Sequence, residues 1–424
     1  MRILWLKTEL LHPVDKGGKI RTYNMLKELK RAHRVTYLTL DDGSASADDR
    51  AKATEYCHEL ICVPHQRREK FTPGFYVELL LNLVSSQPYA IKKYTTAAMM
   101  QEISELERKR AFDLLVCDFL APAANVPRSL TTPTVLFQHN VEAMIWKRHY
   151  EVQANAVKKA YLYGQWRKMW KFEKEMCQRF DSVIAVSADD REQMKREYGA
   201  QSVFDVPTGV DTEFFRPSGA IETSPHNIVF TGSMDWLPNE DGIRFFLREI
   251  MPLIKSKVPD STLTVVGRNP PASLVEMSKS DSSLIVTGRV DDVRPYIEKA
   301  AAYVVPLRIG GGTRLKIFEA MAMEKAVVST TIGAEGLPLE HGVELLLADE
   351  PQAFADAVVK VLTDASYAAE LGRRAAANVR QNHGWEPVTE SFISICRQAK
   401  NPQLDEEAVS AMLNWSNPEV KNVR

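Results

Sequence analysis

The stretch from Pro306 to Thr330 carries the residues best suited to bind a phosphorylated ligand. Its letters, PLRIGGGTRLKIFEAMAMEKAVVST, predict a strand, a glycine loop, a helix and a second strand. The loop and the first turn of the helix contain Gly311, Gly312, Thr313, Arg314 and Lys316. Unpaired backbone N–H groups at a helix start favour an anion, and cationic side chains there are unfavourable unless an anion offsets them. The segment therefore predicts a phosphate site.

Glu319 lies further along the same predicted helix, among apolar residues. A carboxylate accepts two hydrogen bonds at once, which suits the vicinal hydroxyls of a ribose. A phosphate site followed by such a carboxylate predicts a nucleotide ligand. The alternative is an ordinary helix with a glycine-rich start and a solvated face.

A histidine, His139, follows the predicted strand TVLFQ at its carboxyl end. We expect its imidazole to face a ligand rather than the sheet. A near-neutral pKa suits an imidazole to hydrogen bonding with a hydroxyl or to proton transfer. Asn140 and Glu142 share the loop, and either could orient an acceptor substrate. The alternative is a structural histidine that caps the next helix.

Two glycines, Gly17 and Gly18, stand between the first predicted strand and the first predicted helix. Backbone without side chains can approach a phosphate or a sugar closely at such a place. The alternative is a solvated loop, since charged residues flank the pair.

The elements that must position these residues follow a simple alternation. Short β-branched or leucine-rich runs, from RILWLK to KAVVST, alternate with longer amphipathic stretches, which predicts βαβ units and parallel sheets. Because 424 residues exceed the size of a single core, we predict two doubly wound α/β domains, residues 1–214 and 215–385. We expect residues 386–424 to form a helix that returns to the first domain, followed by a tail.

The charge and cysteine content exclude several function classes. Lys and Arg number 54 against 55 Asp and Glu, so no overall field attracts nucleic acid. The five cysteines are scattered and lack metal-type spacing, which predicts reduced thiols and a cytoplasmic protein. No apolar run approaches the roughly 18 residues of a membrane span, and YVELLLNLV from Tyr76 falls short.

Residues 145–180 interleave aromatic side chains with nine Lys and Arg against three Glu. This basic, aromatic helix region could contact the inner face of a membrane peripherally. The plainer interpretation, which we favour, is a partly buried helix whose lysines reach out to solvent.

Several segments also stand in the order found in a known family. They read DKGGKIRTYNMLKEL, FQHNVEAMIWKRHY, VSADDREQMKREYG, VPTGVD, FTGSMDWLPNEDGIRFF, VVGRNP and VTGRVDDVRPYIEKA, and the Gly-rich loop with its Glu-bearing helix follows. Over most of its length the chain resembles the retaining GT-B glycosyltransferases called "glycosyl transferases group 1". Within that group it is similar to the family 4 enzymes. The resemblance implies two Rossmann-like domains that face each other across a cleft.

The resemblance also implies an activity and roles for residues. The reaction would be transfer of a sugar, with retention, from a UDP- or GDP-sugar to a hydroxyl acceptor. The acceptor would be a glycan, a lipid-linked polysaccharide precursor or a small molecule. No cofactor or metal would be required. Donor contacts would fall to Gly17, Gly18, Gly232, Ser233, Arg289, Val290, Gly311, Gly312, Thr313 and Glu319. Catalytic roles would fall to His139, Arg314 and Lys316, and the acceptor side to Asn140 and Glu142.

Two departures from the family pattern stand out. Many members carry a pair of glutamates around this helix, and Gly311 occupies the place of the first. The loop after NIVFTG begins with Ser233 and lacks the Arg and Lys that many relatives direct at the diphosphate. We expect Arg314 and Lys316 to supply that charge instead.

Two other functions remain open. A nucleotide-sugar 2-epimerase has a similar two-domain fold, and it would act without an acceptor. A non-catalytic nucleotide- or glycan-binding protein would bind without turnover. A dinucleotide-dependent dehydrogenase is disfavoured because no GxGxxG follows the first strand.

Overall fold

A computed structural model of the chain describes residues 1–14, 17–66, 71–153, 155–309 and 314–400. Its contacts divide the chain into two compact units. The N-terminal unit comprises Met1–Pro207 and the chain from Val388, and the C-terminal unit comprises Thr208–Pro387. The sequence had placed these divisions after residues 214 and 385.

The N-terminal unit is built on a parallel sheet whose central strands are buried on both faces. Its strands are β1 (Arg2–Lys7), β2 (Arg34–Asp41), β3 (Glu59–Pro64), β4 (Leu114–Asp118), β5 (Thr134–Phe137), β6 (Ser182–Ala185) and β7 (Val203–Asp205). They are ordered β3-β2-β1-β4-β5-β6-β7, and every recorded pairing is parallel. The all-apolar core of β1 explains its central place, since a strand buried on both faces needs a continuous apolar run.

Helices connect these strands and cover both faces of the sheet. They are α1 (Gly17–Ala32), α2 (Ala47–Ala51), α3 (Pro73–Leu83), α4 (Tyr89–Lys92), α5 (Ala97–Arg108), α6 (Glu142–Val152), α7 (Ala156–Arg179) and α8 (Ala188–Tyr198). The helix region predicted over 145–180 is therefore two helices. Asn155 begins the second, because its side chain caps the backbone N–H of Lys158 at 3.0 Å.

The aromatic residues of this helix pair differ in exposure, and Tyr163 is 46% exposed. Trp146, Trp166 and Trp170 are partly buried against the core, and Phe172 is buried. These four rings fit the plainer interpretation of residues 145–180, in which the helix region is partly buried.

The C-terminal unit repeats the same architecture. Its strands are β8 (Ser224–Thr231), β9 (Thr262–Val266), β10 (Leu284–Gly288), β11 (Ala300–Val305), β12 (Ala326–Ser329) and β13 (Leu346–Leu347), ordered β10-β9-β8-β11-β12-β13 with parallel pairings. Its helices are α9 (Leu237–Phe245), α10 (Met251–Lys257), α11 (Ala272–Ser280), α12 (Arg294–Lys299), α13 (Leu315–Ala322), α14 (Pro351–Thr363) and α15 (Ala365–Asn382).

The last described helix, α16 (Trp385–Lys400), carries the chain back to the N-terminal unit. Phe392 packs against Trp5 and Phe137 with ring centroids 5.6 and 5.1 Å away. The hydroxyl of Thr389 lies 3.3 Å from the sulfur of Met25 on α1. The helix thus covers the sheet around β1 and β5.

Both sheets confirm the predicted α/β class with two Rossmann-like, doubly wound domains. In each sheet the strand order reverses beside the first strand, between β1 and β4 and between β8 and β11. Ligands of such sheets bind beyond the carboxyl ends of the strands at this reversal. Within the described ranges, no helix is both long and apolar enough to cross a membrane.

Candidate active site

A buried carboxylate, Asp118, organises the carboxyl edge of the N-terminal sheet. It ends β4, and its Oδ2 accepts hydrogen bonds from Trp5 Nε1 at 3.0 Å, Lys7 Nζ at 2.7 Å and Thr22 Oγ1 at 2.6 Å. Its Oδ1 lies 2.7 Å from Nε2 of His139. The carboxyl ends of β1, β4 and β5 therefore lie together around the Asp118 carboxylate.

Burial and charge together fix the protonation of this cluster. Burial alone would raise the pKa of Asp118, but Lys7 and His139 outweigh it and hold the pKa well below its usual range. Burial lowers the pKa of His139 to about 4, against the opposing effect of Asp118. Near pH 7 the imidazole is consequently neutral. Because Asp118 only accepts, the proton lies on Nε2 and leaves Nδ1 as an acceptor.

An aromatic residue with an unusual backbone supports the imidazole. Phe119 has φ of 73°, in the left-handed region that a bulky residue rarely adopts. Its ring stacks on His139 with centroids 3.8 Å apart, and Lys7 Nζ lies 4.2 Å from the ring centre. Such strain persists where surrounding contacts enforce it, often at functional sites.

The two N-terminal glycines lie in the first turn of α1 rather than in the predicted loop. A Cβ on Gly18 would stand 2.7 Å from Cζ of Phe119, whereas one on Gly17 would meet nothing within 4 Å. Gly18 therefore makes room for the ring that supports His139. Asp15 and Lys16, which precede the pair, lie outside the described residues.

A second buried carboxylate, Glu173 of α7, holds the loop that carries His139. Its oxygens accept four hydrogen bonds, from Gln138 Nε2, Glu142 N, Ala143 N and Tyr198 Oη, at 2.8–3.1 Å. Burial raises the pKa of Glu173 to about 7, against the lowering effect of these donors. The loop between β5 and α6 is thereby tied to the body of the unit at both of its ends.

The acceptor-side candidates share that loop but differ in exposure. Asn140 is exposed, whereas Glu142 is partly buried and begins α6. Burial raises the pKa of Glu142.

The buried Arg21 of α1 donates hydrogen bonds to the carbonyls of Val206 and Pro207, so its guanidinium binds the backbone that follows β7.

In the C-terminal unit a lysine is held at the carboxyl end of β8. Lys316, in the first turn of α13, donates to Oδ1 of Asn239 at 2.8 Å, and Asn239 Nδ2 donates to the carbonyl of Ser233 at 2.8 Å. A Cβ on Gly232 would stand 2.7 Å from both Lys316 Nζ and Asn239 Nδ2. The glycine thus lets the ammonium approach the backbone, and Gly232, Ser233 and Lys316 form one cluster.

Lys316 and Glu319 share α13, and burial disfavours the charge on each. It lowers the pKa of Lys316 to about 7, and it raises the pKa of Glu319 to about 7, while each partly restores the charge of the other. The Lys316 ammonium also lies 4.3 Å from the centre of the Phe230 ring. A buried ammonium whose pKa is this low is poised to gain charge when an anion arrives.

Arg314 precedes α13 rather than lying in its first turn. It caps the helix with φ of 49°, a left-handed conformation. Its side chain is 3% exposed, and one guanidinium nitrogen lies 3.6 Å from Glu335 Oε2. Burial lowers its pKa, and Glu335 opposes that shift. A strained backbone thus carries a buried guanidinium at the N-terminus of α13.

Two predicted donor residues stand apart from this cluster in the recorded contacts. Arg289 is exposed after β10, and Val290 packs partly against the core. The nearby carboxylate of Asp292 pairs with Arg294 at 2.7 Å. The predicted phosphate-loop residues Gly311, Gly312 and Thr313 lie outside the described residues.

Sequence reasoning missed four residues that position the candidates: Lys7, Asp118, Glu173 and Asn239. A signal existed for the first two, because each ends a strand on the edge that carries His139. Glu173 gave a weaker sequence signal, because it is a carboxylate in an otherwise basic helix.

No group of three or more His, Cys, Asp or Glu that could hold a metal ion occurs in the part of the chain that the structure describes.

Comparison with known proteins agrees with this architecture. The profile of "Glycosyltransferase Family 4" matches residues 16–214, and that of "Glycosyl transferases group 1" matches residues 225–364. An uncharacterized 44.6 kDa protein in the cps region of Klebsiella pneumoniae is 20% identical over 402 residues, which span 92% of this chain and 98% of that protein.

Solved structures share the fold. The sucrose-phosphate synthase of Thermosynechococcus elongatus superposes with a TM-score of 0.61 at 16% identity, covering 94% of this chain and 99% of that chain. HepE of Anabaena, solved in complex with UDP and glucose, superposes with a TM-score of 0.58 at 14% identity, covering 93% and 98%. The chain therefore belongs to the group 1 glycosyltransferases and has their GT-B fold of two Rossmann-like domains.

Proposed function

We propose that the protein transfers a sugar, with retention, from a UDP- or GDP-sugar to a hydroxyl acceptor. The observation that carries the proposal is the Lys316 cluster at the carboxyl end of β8, where Asn239 accepts from a partly buried ammonium and Gly232 leaves room for it. HepE of Anabaena, which shares the fold, was solved with UDP and glucose. A nucleoside diphosphate supplies the anion that such an ammonium lacks.

The main catalytic task is to stabilise the leaving diphosphate. Fixed donors aimed at developing charge lower a barrier because they need no reorganisation during the reaction. We assign this task to Arg314 and Lys316, with Gly311, Gly312 and Thr313 as backbone donors. Glu319 is assigned to the ribose, and Arg289 and Val290 to the surroundings of the base.

His139 is assigned to the acceptor rather than to proton transfer. A ring whose pKa is about 4 is a weak base near neutral pH. Its Nδ1 can instead accept a hydrogen bond from a sugar hydroxyl while Asp118 holds Nε2. Asn140 and Glu142 share its loop and complete the proposed acceptor side. The cps-region relative supports a glycan or lipid-linked acceptor in polysaccharide assembly.

The test is nucleotide release from UDP- and GDP-sugars with chelator present, with and without glycan and lipid-linked acceptors. Lys316→Met should lose most of the turnover, because the ammonium on the leaving group is gone. The matched control is Lys257→Met, which removes an exposed lysine whose partner is the surface residue Asp356. The anomeric configuration of the product, read by NMR, tests retention.

Other outcomes decide for the alternatives. Epimerisation of the donor sugar without any acceptor would establish a 2-epimerase. Nucleotide binding without turnover on any acceptor would establish a non-catalytic binding protein. Equal turnover of Lys316→Met and wild type would refute the assignment of the diphosphate to this cluster.

A further inference from the structure

Helix α3 exposes its apolar face to solvent, whereas an ordinary surface helix buries that face. A run of apolar side chains in and beside it is exposed, with Leu80 and Leu81 each at 65% and Val84 at 89%. The others are Phe71, Tyr76, Val77 and Leu83. Those from Tyr76 to Val84 share one face at helical spacing, and apolar patches of this kind mark interaction surfaces in soluble proteins.

The polar residues of α3 point inward and lock this orientation. Asn82 is 4% exposed, and its Oδ1 accepts a hydrogen bond from Gln165 Nε2 of α7 at 2.9 Å. Lys168 Nζ donates to the carbonyl of Asn82 at 2.6 Å, and Glu78 accepts from the hydroxyl of Tyr89 at 3.0 Å. Rotating the helix to bury its leucines would break these bonds, so the apolar face is held outward.

The helix beside α3 carries an excess of positive charge. The cations of α7 are Lys158, Lys159, Arg167, Lys168, Lys171, Lys174 and Arg179. Its two acids are already engaged: Glu173 is buried among four donors, and Glu175 pairs with Arg128. The charge that α7 offers to solvent is therefore positive.

The cationic helix and the apolar helix adjoin one another. Ser86 and Gln87, which follow α3, line a cavity of about 440 Å³ together with Lys171 and Arg179. Lys168 reaches the C-terminal carbonyls of α3, where a positive side chain also complements the helix dipole. An exposed apolar face with adjoining lysines matches the interface of an anionic bilayer, which attracts cations and takes up apolar side chains.

We propose that α3 is a membrane-docking helix that lies in the interface of an anionic phospholipid bilayer, with Leu80 and Leu81 inserted and the exposed Lys171 of α7 at the headgroups. Its 11 residues extend about 16 Å, roughly half of a hydrocarbon core of about 30 Å, so it lies in the surface and does not cross it. The inference concerns a surface and stands independently of the proposed sugar transfer.

The experiment is co-sedimentation of the full chain with vesicles, compared between pure phosphatidylcholine and phosphatidylcholine containing about a third phosphatidylglycerol. The wild type should sediment with the anionic vesicles only. The double substitution Leu80→Ser and Leu81→Ser should weaken the partition coefficient at least about tenfold, because two apolar side chains no longer enter the interface. Lys171→Glu should weaken it and flatten its dependence on salt.

The matched control is Met277→Ser, an exposed apolar side chain on α11 of the C-terminal unit, which should bind like the wild type. Circular dichroism and thermal unfolding confirm that each variant is folded. Wild-type protein that ignores both vesicles, or a double variant that binds as tightly as wild type, overturns the proposal. A wild-type dimer that the double variant converts to a monomer also overturns it, because α3 would then cover a second copy.

Discussion

Replacing Asp118 by Asn tests whether the carboxyl edge of the N-terminal sheet is built on a buried ion pair. Lys7 Nζ lies 2.7 Å from the carboxylate, and both side chains are at most 3% exposed. At an effective dielectric constant of about 20 this separation gives an attraction of about 6 kcal/mol. Removing one partner of such a pair typically costs about 3–5 kcal/mol, because the other charge stays buried without compensation.

The assay is urea denaturation followed by tryptophan fluorescence, since Trp5 itself donates to Asp118. A loss of about 3–5 kcal/mol would remove much of the roughly 5–15 kcal/mol that stabilises a typical domain. The control is Asp113→Asn, which breaks the solvent-exposed pair with Arg2 and should change the free energy of unfolding far less.

A second readout separates charge from geometry. Asparagine can offer its oxygen to the three donors that meet at Oδ2 or to His139, but not to both. The amide would turn its oxygen toward the three donors and its NH₂ toward the imidazole, so His139 should move its proton from Nε2 to Nδ1. Nitrogen-15 NMR of the ring reports the tautomer. A loss below about 1 kcal/mol with an unchanged tautomer would refute this account of the cluster.

Three further predictions follow from the same geometry. Gly18→Ala should destabilise the protein by about 1–3 kcal/mol, because its Cβ would meet Phe119 at 2.7 Å, whereas Gly17→Ala, in open space, should be nearly neutral in thermal unfolding. Glu319→Gln should weaken nucleotide binding at least about tenfold in calorimetry, and unchanged affinity would remove the ribose assignment. Nucleotide affinity should fall by up to about tenfold per pH unit above about pH 7, because Lys316 loses its proton there, and a flat profile that Lys316→Met leaves unchanged would contradict this.

The sequence predicted the parallel sheets well because their strands are marked by composition. The runs that became β1, β4 and β5 are apolar and short, as strands covered on both faces must be. The edge strands β3 and β7 were not identified, since ELICVP is only partly buried and VFD is only three residues long.

The polar centre of the N-terminal unit could not be predicted from local pattern. Lys7 and Asp118 are separated by 111 positions, and only the strand order brings their ends together. His139 was identified because it directly follows a strand, but its partner was not. The strained backbone of Phe119 and Arg314 also lay beyond sequence reasoning, because neither residue type favours the left-handed region.

Helix α3 shows a different reason for a missed feature. Apolar spacing predicts which face of a helix is buried, on the assumption that the apolar face turns inward. In α3 the buried bonds of Asn82 and Glu78 decide the orientation instead, so the apolar face is exposed. The apolar run YVELLLNLV is too short for a membrane span, and its letters do not show that the apolar face of the helix is exposed.

Calorimetric titration of the purified protein with UDP, GDP, ADP and TDP, without metal, measures whether the Lys316 cluster binds a nucleoside diphosphate. We expect clear preference for one of the four, with affinity that drops at least about tenfold in Lys316→Met and is unchanged in Lys257→Met. Absence of binding to all four, or equal affinity in Lys316→Met, would contradict the assignment of a nucleotide-sugar donor to the carboxyl end of β8.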